Sequence, residues 1–152
     1  MEEIEVFDRT QLKSYFYNFA SVTVVLALFC IGITFLLPRL FDEYQRYTSY
    51  SWLIFLVGIG VSIFFDRKNK KGLRKLTGEN NIELVMDGYS KLYQQRLIAN
   101  GFSIFLTGII LIANHKKLFL VLLIFQLVLI PTFFPRKAFI SKELNREDLI
   151  FN

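Results

Sequence analysis

The side chains of this sequence that could do acid–base chemistry are three carboxylates, a tyrosine hydroxyl and an arginine between residues 79 and 96. They are Glu79, Glu83, Asp87, Tyr89 and Arg96. Glu83 and Asp87 are four residues apart, so both carboxylates would lie on one side of a helix and could hold a cation there. Pairs of this kind far more often face solvent, and we interpret these residues first as an ordinary helix surface.

A cluster of cations precedes these residues and follows directly after an apolar run. The members of this basic cluster are Arg67, Lys68, Lys70, Lys71, Arg74 and Lys75. Cytoplasmic loops of membrane proteins are enriched in Lys and Arg, and each such residue is attracted to anionic headgroups by about 1 kcal/mol. The cluster has no interleaved aromatic residues of a nucleic-acid-binding module. It therefore predicts a topology signal and a contact with anionic lipid headgroups, and no nucleic-acid partner.

Other chemical signatures are missing from the sequence. The chain has one His and one Cys, Cys30, which stands inside an apolar run and has no second Cys to pair with. We find no Gly-rich phosphate loop and no nucleophile elbow. The sequence therefore predicts no catalytic residue, no cofactor and no metal site, and it favours a protein that is not an enzyme.

Four windows free of charged residues dominate the chain of 152 residues, of which 53% are hydrophobic. They cover residues 14–38, 47–65, 97–115 and 118–135. As helices, such windows cover the roughly 30 Å of the hydrocarbon layer, and backbone polar groups in lipid require helices or closed barrels. The sequence therefore predicts a single all-α integral membrane domain of four transmembrane helices in two hairpins. Residues 66–96 form the connector and residues 136–152 the tail.

The connector carries a helical pattern of its own. Its apolar face is formed by Ile82, Val85, Met86, Tyr89 and Tyr93. Asn80 followed by Glu83 resembles a capping box. We expect an amphipathic helix on the cytoplasmic surface that could run into the third span. Ser141 could cap a short helix in the tail.

Similar segments follow the second and fourth spans, and the first and third spans share a short pattern. They suggest a weak parallel repeat of two hairpins. With four spans, the side that holds both termini and the connector carries 14 Lys and Arg residues, and the other side carries four, among them Arg39 and Arg46. This imbalance predicts that both termini are cytoplasmic. The plain composition fits a bacterial inner membrane.

Small and polar residues within the spans could serve helix packing or contact with a partner. They are Gly58, Ser62, Asn100, Ser103, Thr107 and Gln126. Small residues let helix backbones approach closely, and polar side chains hydrogen-bond between helices. The spans carry none of the charged side chains that ion-coupled transport commonly uses. Both observations favour contacts over transport.

Three functions remain open on the sequence. The leading interpretation is a membrane protein that acts through protein contacts, as an accessory subunit of a membrane complex or as an immunity-type or regulatory protein. Its partner would be a membrane protein or further copies of the chain. One alternative is an oligomeric channel or transporter lined by polar residues such as Asn18, Thr34 and Asn100. A further alternative is an enzyme that acts on a lipid at the cytoplasmic face.

Overall fold

The computed structural model describes residues 6–36, 48–79, 81–114, 116–146 and 150–151. The described chain is helical apart from two strands of two residues each. The elements are β1 (Val6–Phe7), α1 (Thr10–Leu36), α2 (Thr48–Leu76), α3 (Ile82–Asn114), α4 (Lys117–Leu129), a 3₁₀ turn (Ile130–Phe133), α5 (Lys137–Leu144) and β2 (Ile150–Phe151). Asn80, His115 and the predicted outer cations Arg39 and Arg46 lie outside the described residues.

Helix α3 is the centre of the bundle, because α1, α2 and α4 all pack on it. A Cβ at Gly101 of α3 would meet Phe19 of α1, and one at Gly108 would meet Cys30, so α1 and α3 run parallel. Of the apolar stretch of α3, 44% is buried, against 17% for α1. The two separate hairpins that we predicted are therefore not seen: α1 packs along α3.

Helices α2 and α4 run antiparallel to α3. Gly58 of α2 lies against Ser103 of α3, and further down the same helix Gly72 lies against Leu92. Helix α4 places Gln126 within 3.5 Å of the Ser103 hydroxyl. The backbone carbonyl of Phe133, at the end of the 3₁₀ turn, accepts a hydrogen bond from the Tyr93 hydroxyl of α3. Chain direction therefore alternates from α1 to α4.

Three helices are long and apolar enough to cross a membrane: α1, α2 and α3. Residues Lys117–Phe133 and Lys137–Leu144 pass the same test only as a pair, and they meet at an angle of 80°. Pro131 lies in the 3₁₀ turn Ile130–Phe133 and has no N–H to continue the hydrogen bonds of α4. The described chain thus has three candidate spans, or four if the bent pair counts as one.

Most of the predicted connector is helical, and its amphipathic segment runs directly into the third span, as we expected it could. Helix α2 continues past residue 65 to Leu76 and carries the whole basic cluster, and α3 begins at Ile82. The amphipathic segment is the first half of α3. Asn81 caps it, since its Oδ1 accepts bonds from the backbone N–H groups of Glu83 and Leu84. A tight turn therefore joins two long helices.

The free end of this helical hairpin is covered by both ends of the chain. We call this part the head; it comprises β1, residues 66–76 of α2, residues 82–96 of α3, α5 and β2. Its buried core contains Phe7, Val85, Tyr89, Ile140 and Leu144, and Leu12 of α1 belongs to the same buried cluster. β1 pairs with β2 in parallel, with Val6 opposite Ile150. Strands β1 and β2 therefore lie side by side.

The terminal helices of the described chain begin and end through local bonds. Asp8 accepts a bond from the Thr10 N–H at 2.8 Å, and this bond lowers the pKa of Asp8. Ser141 lies inside α5 and does not cap it, contrary to our prediction, because α5 begins at Lys137. Asn145 ends α5 in the left-handed conformation, with φ 50°.

Candidate functional site

An ion-pair network joins α2, α3 and α5 within the head. The Arg96 guanidinium donates to Glu143 Oε1 of α5 at 2.8 Å and lies 3.5 Å from Asp66 Oδ1 of α2. Both partners of the shorter pair are mostly buried, with side chains 11% and 15% exposed. Phe139 covers the guanidinium, its ring centroid 5.8 Å away. Contacts from α2 and α5 therefore hold the Arg96 side chain.

Two tyrosines on the same face of α3 as Arg96 complete this network. The Tyr89 hydroxyl donates to Glu143 Oε2 at 2.8 Å. The Tyr93 hydroxyl donates to the Phe133 carbonyl at 2.7 Å, which is the carbonyl at the end of the 3₁₀ turn. The two rings stack with their centroids 6.4 Å apart. Both oxygens of Glu143 are thus bonded, and the network fixes α5 and the end of α4 against α3.

The network has the geometry of a structural clamp rather than of a catalytic centre. Of the residues considered for acid–base chemistry, Tyr89 and Arg96 join it. Glu79, Glu83 and Asp87 are exposed, and Asp87 pairs with Lys91 at 2.6 Å. Within the described ranges, no three His, Cys, Asp or Glu side chains are grouped to hold a metal ion. Glu79, Glu83 and Asp87 therefore do not join the network of Tyr89 and Arg96.

A groove of about 760 Å³ opens beside the network, between α2, α3, the 3₁₀ turn and α5. We call it the interfacial groove. Its charged lining consists of Asp66, Arg67, Lys70, Arg96 and Glu143, and its other lining consists of Ser62, Ile63, Asn100, Thr132, Phe133 and Phe139. Asp66 is the first charged residue after the charge-free run of α2. The groove therefore lies where α2 changes from apolar to charged sequence.

The basic cluster is exposed along the last turns of α2. Lys70 pairs with Asp66 at 2.9 Å, and Lys68 lies over the Phe65 ring at 5.7 Å. A second concavity, of about 610 Å³, runs among the cations themselves. Arg67 and Lys70 line both cavities. They are the members of the cluster that stand at the edge of the interfacial groove.

The small and polar residues predicted for packing or partner contact lie on contacts within the chain. A Cβ at Gly58 would meet Ser103 and Leu106 at 3.4–3.5 Å. Ser62 donates to the carbonyl of Ala99 at 3.2 Å, which joins α2 to α3. This row of close contacts lets the α2 and α3 backbones approach one another.

The remaining polar residues of that set bond to α3 or along it. Thr107 donates to the Ser103 carbonyl at 2.9 Å, and Asn100 donates to the Arg96 carbonyl at 2.8 Å. The Gln126 amide nitrogen lies 3.5 Å from the Ser103 hydroxyl, and its buried amide oxygen has no partner among the described residues. Of this set, Asn100 and Ser62 also reach the interfacial groove.

A second groove, of about 610 Å³, runs between α1 and α3. Its α1 wall follows helical spacing from Tyr15 to Cys30, and its α3 wall runs from Gln94 to Phe105. Most lining side chains are apolar, but Asn18 and Gln94 bring exposed amides to one end. We call it the α1–α3 groove. It extends for about 20 Å at the rise of an α-helix.

Sequence reasoning missed Glu143, Asp66 and Asn69. Asn69 is 1% exposed and donates to the Leu92 carbonyl at 3.1 Å, although it stands within a run of cations. Glu143 follows the buried Ile140 by three residues and precedes the buried Leu144. That spacing places an acid at the edge of an apolar helical face. It is the one local signal that could have found Glu143.

A comparison of the chain with protein-family models, curated proteins and solved structures finds no match.

Proposed function

We propose that the chain crosses the membrane four times, with its head and both ends on the cytoplasmic side of a bacterial inner membrane. The pairing of β1 with β2 supports an even number of crossings, because it keeps the two ends together. The return of α4 along α3 supplies the fourth. The excess of Lys and Arg, 14 against four, favours the cytoplasm for the side of the head. There the basic cluster would meet anionic headgroups.

We further propose that the protein acts through contact with a partner membrane protein, as an accessory subunit or an immunity-type protein. The observation that carries this proposal is the α1–α3 groove. Helix α1 packs along α3 and leaves most of its apolar stretch uncovered. The groove is long enough for about four turns of a membrane helix. Its exposed amides, Asn18 and Gln94, could bond such a helix.

The hydrogen bonds of the polar residues in the spans favour contact with a partner over a pore lined by those residues. Ser103, Thr107 and Gln126 bond one another or the backbone of α3. Thr34 bonds the carbonyl of Cys30 at 2.8 Å on its own helix. A pore would need these side chains directed towards water. Asn18 is exposed, but it stands at one end of an apolar groove.

The test uses a pair of variants on α1. Val22 lines the α1–α3 groove, and Val25 is exposed on the same helix outside it. The full chain and the variants Val22→Trp and Val25→Trp are purified from native membranes in mild detergent with a tag on the tail. The particle mass and its protein components are then measured.

We expect a stoichiometric second protein with the unchanged chain and with Val25→Trp, and its loss with Val22→Trp, because an indole would fill the groove. A particle that contains this chain alone, whether monomer or homo-oligomer, would overturn the accessory-subunit proposal. Equal loss with both variants would remove the groove as the contact surface.

A further inference from the structure

We propose that the interfacial groove binds one anionic glycerophospholipid, with its phosphate against Arg67 and Lys70 and its acyl chains along α2 and the 3₁₀ turn. The inference rests on the orientation in the preceding section, which places the head at the membrane surface. It differs from general attraction to the bilayer, because it assigns one lipid to one site.

The charges of the groove favour a phosphate. Glu143 neutralises Arg96, and Asp66 neutralises Lys70. Arg67 forms no ion pair within the described ranges, so the lining carries one net positive charge. Lys71 and Arg74 follow on the same helix and add to the positive potential. A guanidinium can bond two oxygens of a phosphate at once, and Lys70 would supply a second cation.

The other lining residues favour a lipid over a free phosphate ion. Ile63, Phe133 and Phe139 give the groove an apolar wall. Ser62 and Ile63 belong to the charge-free run of α2, so the groove reaches into the region that the bilayer would cover. Its charged end therefore lies at headgroup depth and its apolar end at acyl-chain depth. The volume of about 760 Å³ is in the range of ligand pockets.

A glutamine pair at the groove and a matched pair away from it test the proposal. Arg67→Gln/Lys70→Gln removes both proposed phosphate ligands. Lys71→Gln/Lys75→Gln removes the same charge from the same helix, at residues that do not line the interfacial groove. Each full chain is delipidated in detergent, and native mass spectrometry follows the adduct of one phosphatidylglycerol as the lipid is added. Phosphatidylethanolamine and inorganic phosphate are the comparison probes.

We expect a one-lipid adduct that prefers phosphatidylglycerol and that weakens about tenfold in Arg67→Gln/Lys70→Gln. The control pair should keep it within about twofold, and inorganic phosphate should not displace it. Equal weakening in both pairs would overturn the site, since it would indicate general electrostatics. Displacement by phosphate, or equal binding of phosphatidylethanolamine, would also overturn it. The same spectra resolve a protein partner by its mass, so failure of this site is distinguishable from failure of the proposed function.

Discussion

At the scale of single residues, Arg96 is the side chain that links α3 to both α2 and α5 in the head. Burying a charge is costly unless a partner of opposite charge and further hydrogen bonds accompany it. Glu143 supplies the partner at 2.8 Å, and Asp66 supplies a weaker one. A buried pair of this kind contributes little net stability, but removal of one partner leaves the other charge uncompensated. The buried Arg96 therefore requires α5 to pack where Glu143 can reach its guanidinium.

The first prediction at this scale concerns Glu143→Gln. Gln has nearly the same shape and leaves Arg96 buried without its main counter-charge, so we expect a loss of about 2–3 kcal/mol in the free energy of unfolding. The matched control is Asp87→Asn, which breaks the exposed pair with Lys91 and should cost about 0.5 kcal/mol or less. Thermal and chemical unfolding in detergent measure both. Equal costs would contradict a buried clamp.

At the scale of helices, the close approach of α1 to α3 depends on Gly108. A Cβ there would lie 2.8 Å from Cys30 Sγ and 3.2 Å from its Cβ, whereas one at Gly60 of α2 would meet nothing within 4 Å. Cys30 thus has a packing role against a glycine. The two glycines provide a matched pair, because both stand inside helices and only Gly108 faces a neighbour.

We predict opposite effects for Gly108→Ala and Gly60→Ala. Alanine raises helix propensity by about 1 kcal/mol at either position, but overpacking costs about 1–3 kcal/mol at Gly108. From these two terms we expect a net loss of unfolding free energy of about 1 kcal/mol for Gly108→Ala and a gain of up to about 1 kcal/mol for Gly60→Ala. Adding Cys30→Ala to Gly108→Ala should restore part of the loss. If the two changes are strictly additive, the predicted contact is wrong.

The helices also show how far the sequence alone could predict the fold. The charge-free windows correctly indicated membrane-crossing helices, because charges are costly in lipid. The windows underestimated the lengths of two helices. Helix α2 continues beyond residue 65 and α3 begins before residue 97, since a helix in water can continue on good helix formers such as Lys and Arg. The buried Asn69 and Leu73 mark the packed side of that extension. They are recognisable only once α3 is known to lie beside it.

The candidate site was less predictable than the helices. Arg67 and Lys70 were identified by charge, and Tyr89 and Arg96 by residue type. Glu143 lies 47 residues from Arg96, so no local spacing could connect the two. A short helix was expected in the tail, but nothing in its sequence predicted that Glu143 would be buried against Arg96. The groove itself arises from the bend after α4, and sequence periodicity does not give its angle.

At the scale of the whole molecule, four crossings place residues 11, 71 and 142 on one side and residue 117 on the other. We predict this pattern for single cysteines introduced as Gln11→Cys, Lys71→Cys, Lys142→Cys and Lys117→Cys in a Cys30→Ala background. All four positions are exposed. A membrane-impermeant maleimide should label the first three in inverted vesicles only, and Lys117→Cys in intact spheroplasts only.

The labelling distinguishes four crossings from three directly. With three crossings, Lys142→Cys would react from the side opposite to Gln11→Cys. Reaction of Lys71→Cys in intact spheroplasts would instead invert the whole arrangement and place the head outside the cytoplasm. Lys117→Cys serves as the internal control for intact membranes.

The pairing of β1 with β2 has a consequence for how the protein is made. β2 is made after α1 to α5, so the head cannot close until β2 has left the ribosome. Synthesis proceeds at about 5–20 residues per second, and α1 to α3 enter the bilayer seconds before α5 exists. During that interval Arg96 and Tyr89 must find water or headgroups in place of Glu143. Assembly of the head therefore follows the synthesis of α5 and β2, and a nascent chain stalled before α5 would have α1 to α3 inserted but its head open.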